Sequence, residues 1–225
     1  MGLFHEGIPL PAAIAGWLVM LPVLWDAARR ARRSPFPSGS VELAWWSGSA
    51  CIALLWLLAI RVGPGPAFGM LGVAIYALVF GRARAVLGIT LALAAHLACT
   101  GGSWTGFGID VLLIAVLPAA LASRCQRWIE RALPPNLFVF IIGNGMFTSF
   151  LVTATTAAAL FLASGILGTW PASLDVRQYF VPMLLLAWSE AIVSGMLLSA
   201  LVIFAPEVVL TYDVDRYLPR RSRLR

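Results

Sequence analysis

Three polar side chains stand inside long apolar runs of this sequence: Asp110, Asn144 and Glu190. A charged residue such as Asp within a membrane span costs about 2.5–3.5 kcal/mol on insertion scales, so it needs a partner or a function. We predict a substrate-binding role for all three. Each also has a structural alternative: Glu190 as a polar clamp between helices, Asp110 as an acceptor for free N–H groups at a helix start, and Asn144 as a helix-packing residue.

A histidine and a carboxylate come directly before the first apolar run. His5 and Glu6 are side chains of the types that bind divalent metals, and a short terminus could bring them to the mouth of a helix bundle. We predict a metal site that uses His5 and Glu6, with a solvated terminus as the alternative. His96, in Ala-rich surroundings, is more typical of a histidine satisfied by a neighbouring carbonyl than of a metal ligand.

Enzymatic chemistry finds little support in the sequence. The chain has two histidines and three cysteines, with no HExxH motif, no CxxC pair and no glycine-rich phosphate loop ending in Lys-Ser/Thr. These absences exclude an ATPase site of that kind and disfavour a classical zinc or di-iron site. We expect a protein that is not an enzyme and has no tightly bound cofactor.

The composition places these residues in a membrane. Of 225 residues, 60% are hydrophobic and 12% are charged, and the apolar runs do not alternate with polar residues as a barrel requires. We predict an all-α, polytopic integral membrane protein of about seven transmembrane helices in a single membrane domain. The net charge of +6 does not indicate nucleic-acid binding, because the arginines lie in short clusters between apolar runs.

Uncharged runs predict the spans. They cover about residues 8–25, 43–60, 66–80, 85–99, 109–122, 136–167 and 180–205, and a basic tail covers 206–225. A polar, glycine-rich turn from Thr100 to Gly108 separates the fourth span from the fifth. The sixth span is long enough to be tilted or broken.

The arginine clusters predict the orientation. They follow the first, third, fifth and seventh spans, so they fall on every second connection. Cytoplasmic connections are enriched in Arg and Lys. We therefore predict that the chain lies in a bacterial inner membrane, with its N-terminus outside and its C-terminal tail in the cytoplasm. If residues 132–174 crossed the membrane twice, the arginine-rich tail would lie outside. The positions of the arginine clusters therefore favour a single crossing.

Ala12 and Gly16 form a pair of small residues four positions apart in the first span. Such pairs let the backbones of two membrane helices approach closely. We predict that this pair offers a face for a partner membrane protein, although motifs of this kind are common.

Five short motifs, in the same order and spacing, resemble the substrate-binding membrane component of energy-coupling factor transporters, the CbiM/NikM-like permeases. They are Glu6-Gly7, the stretch Gly72 to Gly81, Phe107 to Asp110, Gly143-Asn144, and Ser189 to Ala191. The resemblance covers most of the chain. It implies a capture component that topples against a coupling permease driven by two ATPase subunits, with a transition-metal ion as possible substrate.

The sequence departs from this family at the metal ligands. In this family, characterised members bind the metal through the free N-terminal amine, a histidine directly after the initiator methionine and a second histidine at the start of the third span. The aligned positions here are Leu3 and Gly69, and neither side chain can ligate a metal. The sequence therefore leaves two hypotheses: a transporter component with a changed site, or a non-transporting membrane subunit that scaffolds another complex.

Overall fold

The computed structural model describes residues 8–58, 60–61, 67–68, 71–169 and 175–212. Seven helical segments in this part of the chain form one bundle. They are α1 (Leu10–Arg33), α2 (Gly39–Leu57), α3 (Val73–Phe80), α4 (Arg82–Thr100), α5 (Trp104–Ala132), α6 (Leu137–Ile166) and α7 (Val176–Phe204). The predicted all-α membrane fold is confirmed. A two-residue antiparallel pairing between β1 (Ile60–Arg61) and β2 (Ala67–Phe68) joins α2 to the segment before α3.

Six of the helices are long and apolar enough to cross a bilayer, and α3 is the exception. Its eight residues span about 12 Å, less than half of the hydrocarbon core. In the described part of the predicted third span, 66–80, the helix covers Val73–Phe80, and Ala67–Phe68 form a strand. Glycines and prolines at 63–66, 69 and 72 interrupt the apolar run, and Gly72 precedes α3 with φ of 67°, which favours glycine.

The short helix α3 lies at the centre of the bundle. It packs against α4, α5, α6 and α7, and all eight of its residues are buried. The longer helices instead expose large apolar side chains, among them Leu18, Leu54 and Phe204. This distribution suits helices surrounded by lipid around a central helix that lipid does not reach.

The helices extend beyond most of the uncharged runs that predicted them. α1 continues to Arg33, α4 begins at Arg82, and α5 covers Trp104–Ala132 where the prediction gave 109–122. Arginines at helix ends can reach the polar interface with their long side chains, so a charge does not mark where a helix stops. The predicted sixth span, 136–167, corresponds to a continuous helical segment, Leu137–Ile166.

Several connections meet at one end of the bundle, which we call the arginine end: residues 34–38, Gly81, 133–136 and 205–212. The Arg84 guanidinium lies over the Phe36 ring at 4.4 Å and donates a hydrogen bond to the Ser34 carbonyl. Leu210 N donates to Val79 O at 2.7 Å. The ring of Tyr212 lies 5.0 Å from that of Phe140. The arginine clusters that follow α1, α3 and α5 therefore lie at the same end of the molecule.

Candidate functional site

Glu190 caps the N-terminal end of α3 from the middle of α7. Its Oε1 accepts a hydrogen bond from Gly72 N at 2.8 Å, and its Oε2 accepts one from Leu71 N at 3.0 Å. The side chain is 1% exposed. Free N–H groups at a helix start carry partial positive charge, so the carboxylate stabilises the start of α3 both by hydrogen bonding and by charge.

Glu190 thus faces the bundle and has polar partners, as a charged residue within a membrane span requires. Its partners are backbone N–H groups more than one hundred residues away in sequence, which a reading of α7 alone could not identify. Within the described residues, the carboxylate forms no ion pair with an arginine or histidine. The Thr153 hydroxyl of α6 lies beside it, within reach of a hydrogen bond to the carboxylate.

Asp110 lies in the first α-helical turn of α5, Phe107–Asp110, which follows the 3₁₀ turn Trp104–Gly106. Before this turn, Ser103 accepts a hydrogen bond from Thr105 N, and a role of Asp110 as an acceptor for free N–H groups stays an alternative. Asp110 is 4% exposed, and its Oδ1 has no hydrogen-bond partner among the described residues. A buried carboxylate oxygen without a donor is costly, which makes this group a candidate for contact with a ligand.

Asn144 is completely buried in the interface between α6 and α7. Neither its amide oxygen nor its amide nitrogen has a partner in the described part of the structure. The neighbouring Gly145 lies against α7 so closely that an added Cβ would stand 3.1 Å from Gly195 Cα. Gly195 is five residues beyond Glu190 on α7, and it packs beside Gly145. Asn144 therefore lies about 8 Å from Glu190 along the axis of α7.

Both of these unpaired polar groups accompany π-helical segments. Asp110 directly precedes the π-helical residues Val111–Val116 of α5, and Asn144 lies within Phe140–Phe147 of α6. π-Helical turns are rare and frequently occur at functional sites. Sequence reasoning missed both segments. The two small neighbours of Asn144 are the one signal that pointed to unusual packing there.

The three predicted substrate-binding residues do not form one cluster. α5 packs against α1 around Asp110, whereas Asn144 and Glu190 belong to the α6–α7 pair. The structure thus has an outer polar group near the start of α5 and an inner polar region beside α3.

The predicted partner-binding pair lies differently from the expectation. Gly16 is buried against α5: a Cβ added at Gly108 would stand 2.6 Å from Gly16 C, and one added at Gly16 would stand 2.7 Å from Ile109 Cγ1. This contact within the chain occupies Gly16, so it offers no face to a separate protein. Ala12 is half-buried on the same helix.

The predicted metal ligands His5 and Glu6 lie outside the described residues. His96 is buried, and its ring makes an edge contact with Trp56 at a centroid distance of 6.3 Å. Over the described ranges, no group of three or more His, Cys, Asp or Glu side chains is placed to hold a metal ion. A metal site in these ranges would have to combine one carboxylate with backbone, hydroxyl or amide oxygens.

The sequence matches one family model over residues 5–208, a model described as the cobalt uptake substrate-specific transmembrane region, CbiM. The chain belongs to the CbiM family. This membership makes it a multi-pass membrane component of a metal-uptake transporter. Among curated proteins, no sequence match was found.

Two solved structures resemble this CbiM-family chain. A truncated transition metal transporter is 20% identical, with a TM-score of 0.72 over 90% of this chain and 99% of the other. A second transition metal transporter is 18% identical, with a TM-score of 0.71 over 88% and 91% of the two chains. At these identities the likeness shows a shared fold.

Proposed function

We propose that this chain is the substrate-capture component of an energy-coupling factor transporter for a transition-metal ion. It works with a coupling permease and ATPase subunits in the bacterial inner membrane. The observation that carries the proposal is the CbiM match from residue 5 to residue 208. The fold shared with two transition metal transporters supports it.

Asp110 is the residue we assign to direct contact with the metal. It is a buried carboxylate with an oxygen that no described donor satisfies, beside a π-helical segment. Asn144 offers a second buried oxygen at a deeper level, on the path along α6. Glu190 braces the site by holding the start of α3, because its two oxygens accept hydrogen bonds from Leu71 N and Gly72 N.

The donor types favour a harder metal ion than nickel. Carboxylate and amide oxygens suit ions such as Mn²⁺, whereas imidazole suits Ni²⁺ and Zn²⁺. Leu3 and Gly69 stand where the resembling permeases place histidines. We therefore propose that the usual nitrogen-rich nickel or cobalt site is lost, and that His5 and Glu6 contribute to the remaining one.

Equilibrium binding of Mn²⁺, Co²⁺ and Ni²⁺ to the purified chain tests this function. We expect Mn²⁺ to bind and Asp110→Asn to weaken its binding about tenfold or more, because the substitution removes a charged ligand. The control is Asp26→Asn, since Asp26 is an exposed carboxylate paired with Arg30. It should leave metal binding unchanged.

The outcome for nickel and cobalt separates the alternatives. We expect no submicromolar binding of either ion by the wild-type protein or by His5→Ala. Submicromolar binding that disappears in His5→Ala would contradict the loss of the nitrogen-rich site. If no metal binds to any form, metal capture is wrong, and the scaffolding hypothesis takes its place.

The orientation is a separate prediction. The arginine clusters after α1, α3 and α5 lie at one end of the bundle, and cytoplasmic connections are enriched in arginine. We expect a reporter fused after Arg225 to be active in the cytoplasm and silent in the periplasm. A fusion within 100–103, at the opposite end of α4, should give the reverse pattern. A periplasm-active fusion after Arg225 would contradict the orientation.

A further inference from the structure

Three hydroxyl side chains form a buried stripe along α6. Ser149, Thr153 and Thr156 are spaced at i, i+4 and i+7, which places them on one helical face. Their exposed fractions are 0%, 1% and 0%. The Ser149 and Thr156 oxygens have no hydrogen-bond partner among the residues that the structure describes, and the Thr153 hydroxyl lies beside the Glu190 carboxylate.

This lack of partners is unusual for hydroxyls in a helix. A helical Ser or Thr commonly donates to the carbonyl one turn earlier, as Thr155 does to Leu151 O at 2.6 Å on the same helix. The stripe does not use this option. Buried polar groups without partners require an explanation, and an ion or ordered water is the usual one.

The Glu190 carboxylate lies against this stripe, beside Thr153. Its two hydrogen bonds from Leu71 N and Gly72 N use about two of the four acceptor positions of a carboxylate. The oxygens therefore keep capacity for another partner. No arginine or histidine pairs with this carboxylate in the described ranges, so its negative charge lacks a counter-charge from these side chains.

The neighbouring helices add apolar surface around the stripe. α3 and α5 both pack against α6, and their buried residues include Ala74, Ala115 and Ala119. Alanine side chains offer neither donors nor acceptors. These residues therefore add no ligand of their own to the oxygens of the stripe and of Glu190.

We infer that Thr153, Thr156 and Glu190 hold a monovalent cation of the sodium class in the core of the bundle, with Ser149 one turn earlier in the same stripe. Hydroxyl and carboxylate oxygens are hard ligands, which suit hard cations. One carboxylate balances one positive charge, and a divalent ion would bury an uncompensated charge. This site is distinct from the transported metal. An ion here would link α6 and α7 to the start of α3.

Thermal unfolding of the purified full-length protein in detergent tests the inference. EDTA removes transition metals, and NaCl is compared with choline chloride at equal ionic strength. Because the ion binds the folded state, we expect the Tm to rise with Na⁺ and to saturate. Dialysis against ²²Na⁺ should show about one ion per chain, with affinity reduced at least about tenfold in Thr153→Val.

The matched variants distinguish an ion site from hydroxyl packing. Thr153→Val and Thr156→Val remove stripe hydroxyls at nearly constant size and should lose the Na⁺-dependent rise in Tm. Thr153→Ser keeps the hydroxyl and should retain the rise, as should Thr155→Val, whose native hydroxyl is already satisfied by Leu151 O. The inference is overturned if Na⁺ neither binds nor raises the Tm. It is also overturned if Thr153→Val and Thr156→Val respond to Na⁺ like the wild type; in both cases ordered water is the better partner.

Discussion

Replacing Glu190 by alanine should destabilise the protein strongly. The substitution leaves Leu71 N and Gly72 N without an acceptor in the bundle interior, where water does not replace it. An unsatisfied buried donor costs about 1–3 kcal/mol, so two of them suggest a loss of about 2–6 kcal/mol in the free energy of unfolding. The measurement is unfolding of purified protein in detergent by denaturant or heat.

Two variants calibrate this effect. Glu190→Gln keeps one acceptor oxygen and should recover part of the lost stability. Glu207→Ala removes an exposed carboxylate in the turn after α7 and should change little. If Glu190→Ala unfolds like the wild type but loses metal binding, the bracing role is wrong and the carboxylate is a metal ligand.

The sequence predicted the membrane fold because two independent signals agree. Apolar runs indicate helices, and arginine clusters on alternate connections indicate which connections share a side of the membrane. In the structure, the connections 34–38, Gly81 and 205–212 lie at one end of the bundle. Counting uncharged residues cannot show that α3 is a short helix inside the bundle. That feature depends on where the backbone turns at Gly72 and on a carboxylate from another helix.

The candidate site was predictable in its residues but not in its contacts. Asp110, Asn144 and Glu190 are unusual in apolar surroundings, and all three are buried. Their partners depend on long-range packing, as with Glu190 and the backbone at residues 71–72. The hydroxyl stripe at Ser149, Thr153 and Thr156 had a visible signal, because its spacing follows one helical face.

The small residues of α1 show a different limit. A glycine in a membrane helix indicates that another backbone approaches, but it does not say whether that backbone belongs to the same chain. Gly16 packs against Gly108 and Ile109, so the contact is internal. A second glycine in α5 could have suggested this pairing, since close helix crossings often place small residues on both sides.

Replacing Gly108 should have the largest effect among the glycines of the α1–α5 contact. A Cβ at this position would stand 2.6 Å from both Gly16 C and Trp17 N, and these backbone atoms cannot move without separating α1 from α5. We expect Gly108→Ala to cost about 1–3 kcal/mol of stability and Gly108→Val more. Because Asp110 lies two residues later, metal binding should weaken as well.

The same contact supplies its own controls. A Cβ added at Gly16 first meets the Ile109 side chain. Gly16→Ala should therefore cost less stability when Ile109 is already alanine than it costs in the wild-type protein, which the double variant Gly16→Ala/Ile109→Ala measures. Gly165→Ala meets nothing within 4 Å near the end of α6 and should stabilise by about 0.5–1 kcal/mol, because alanine loses less backbone entropy than glycine. Thermal unfolding of all four variants measures these differences. If Gly108→Ala is as stable as Gly165→Ala, α1 and α5 do not cross at this contact, and the position assigned to Asp110 is wrong.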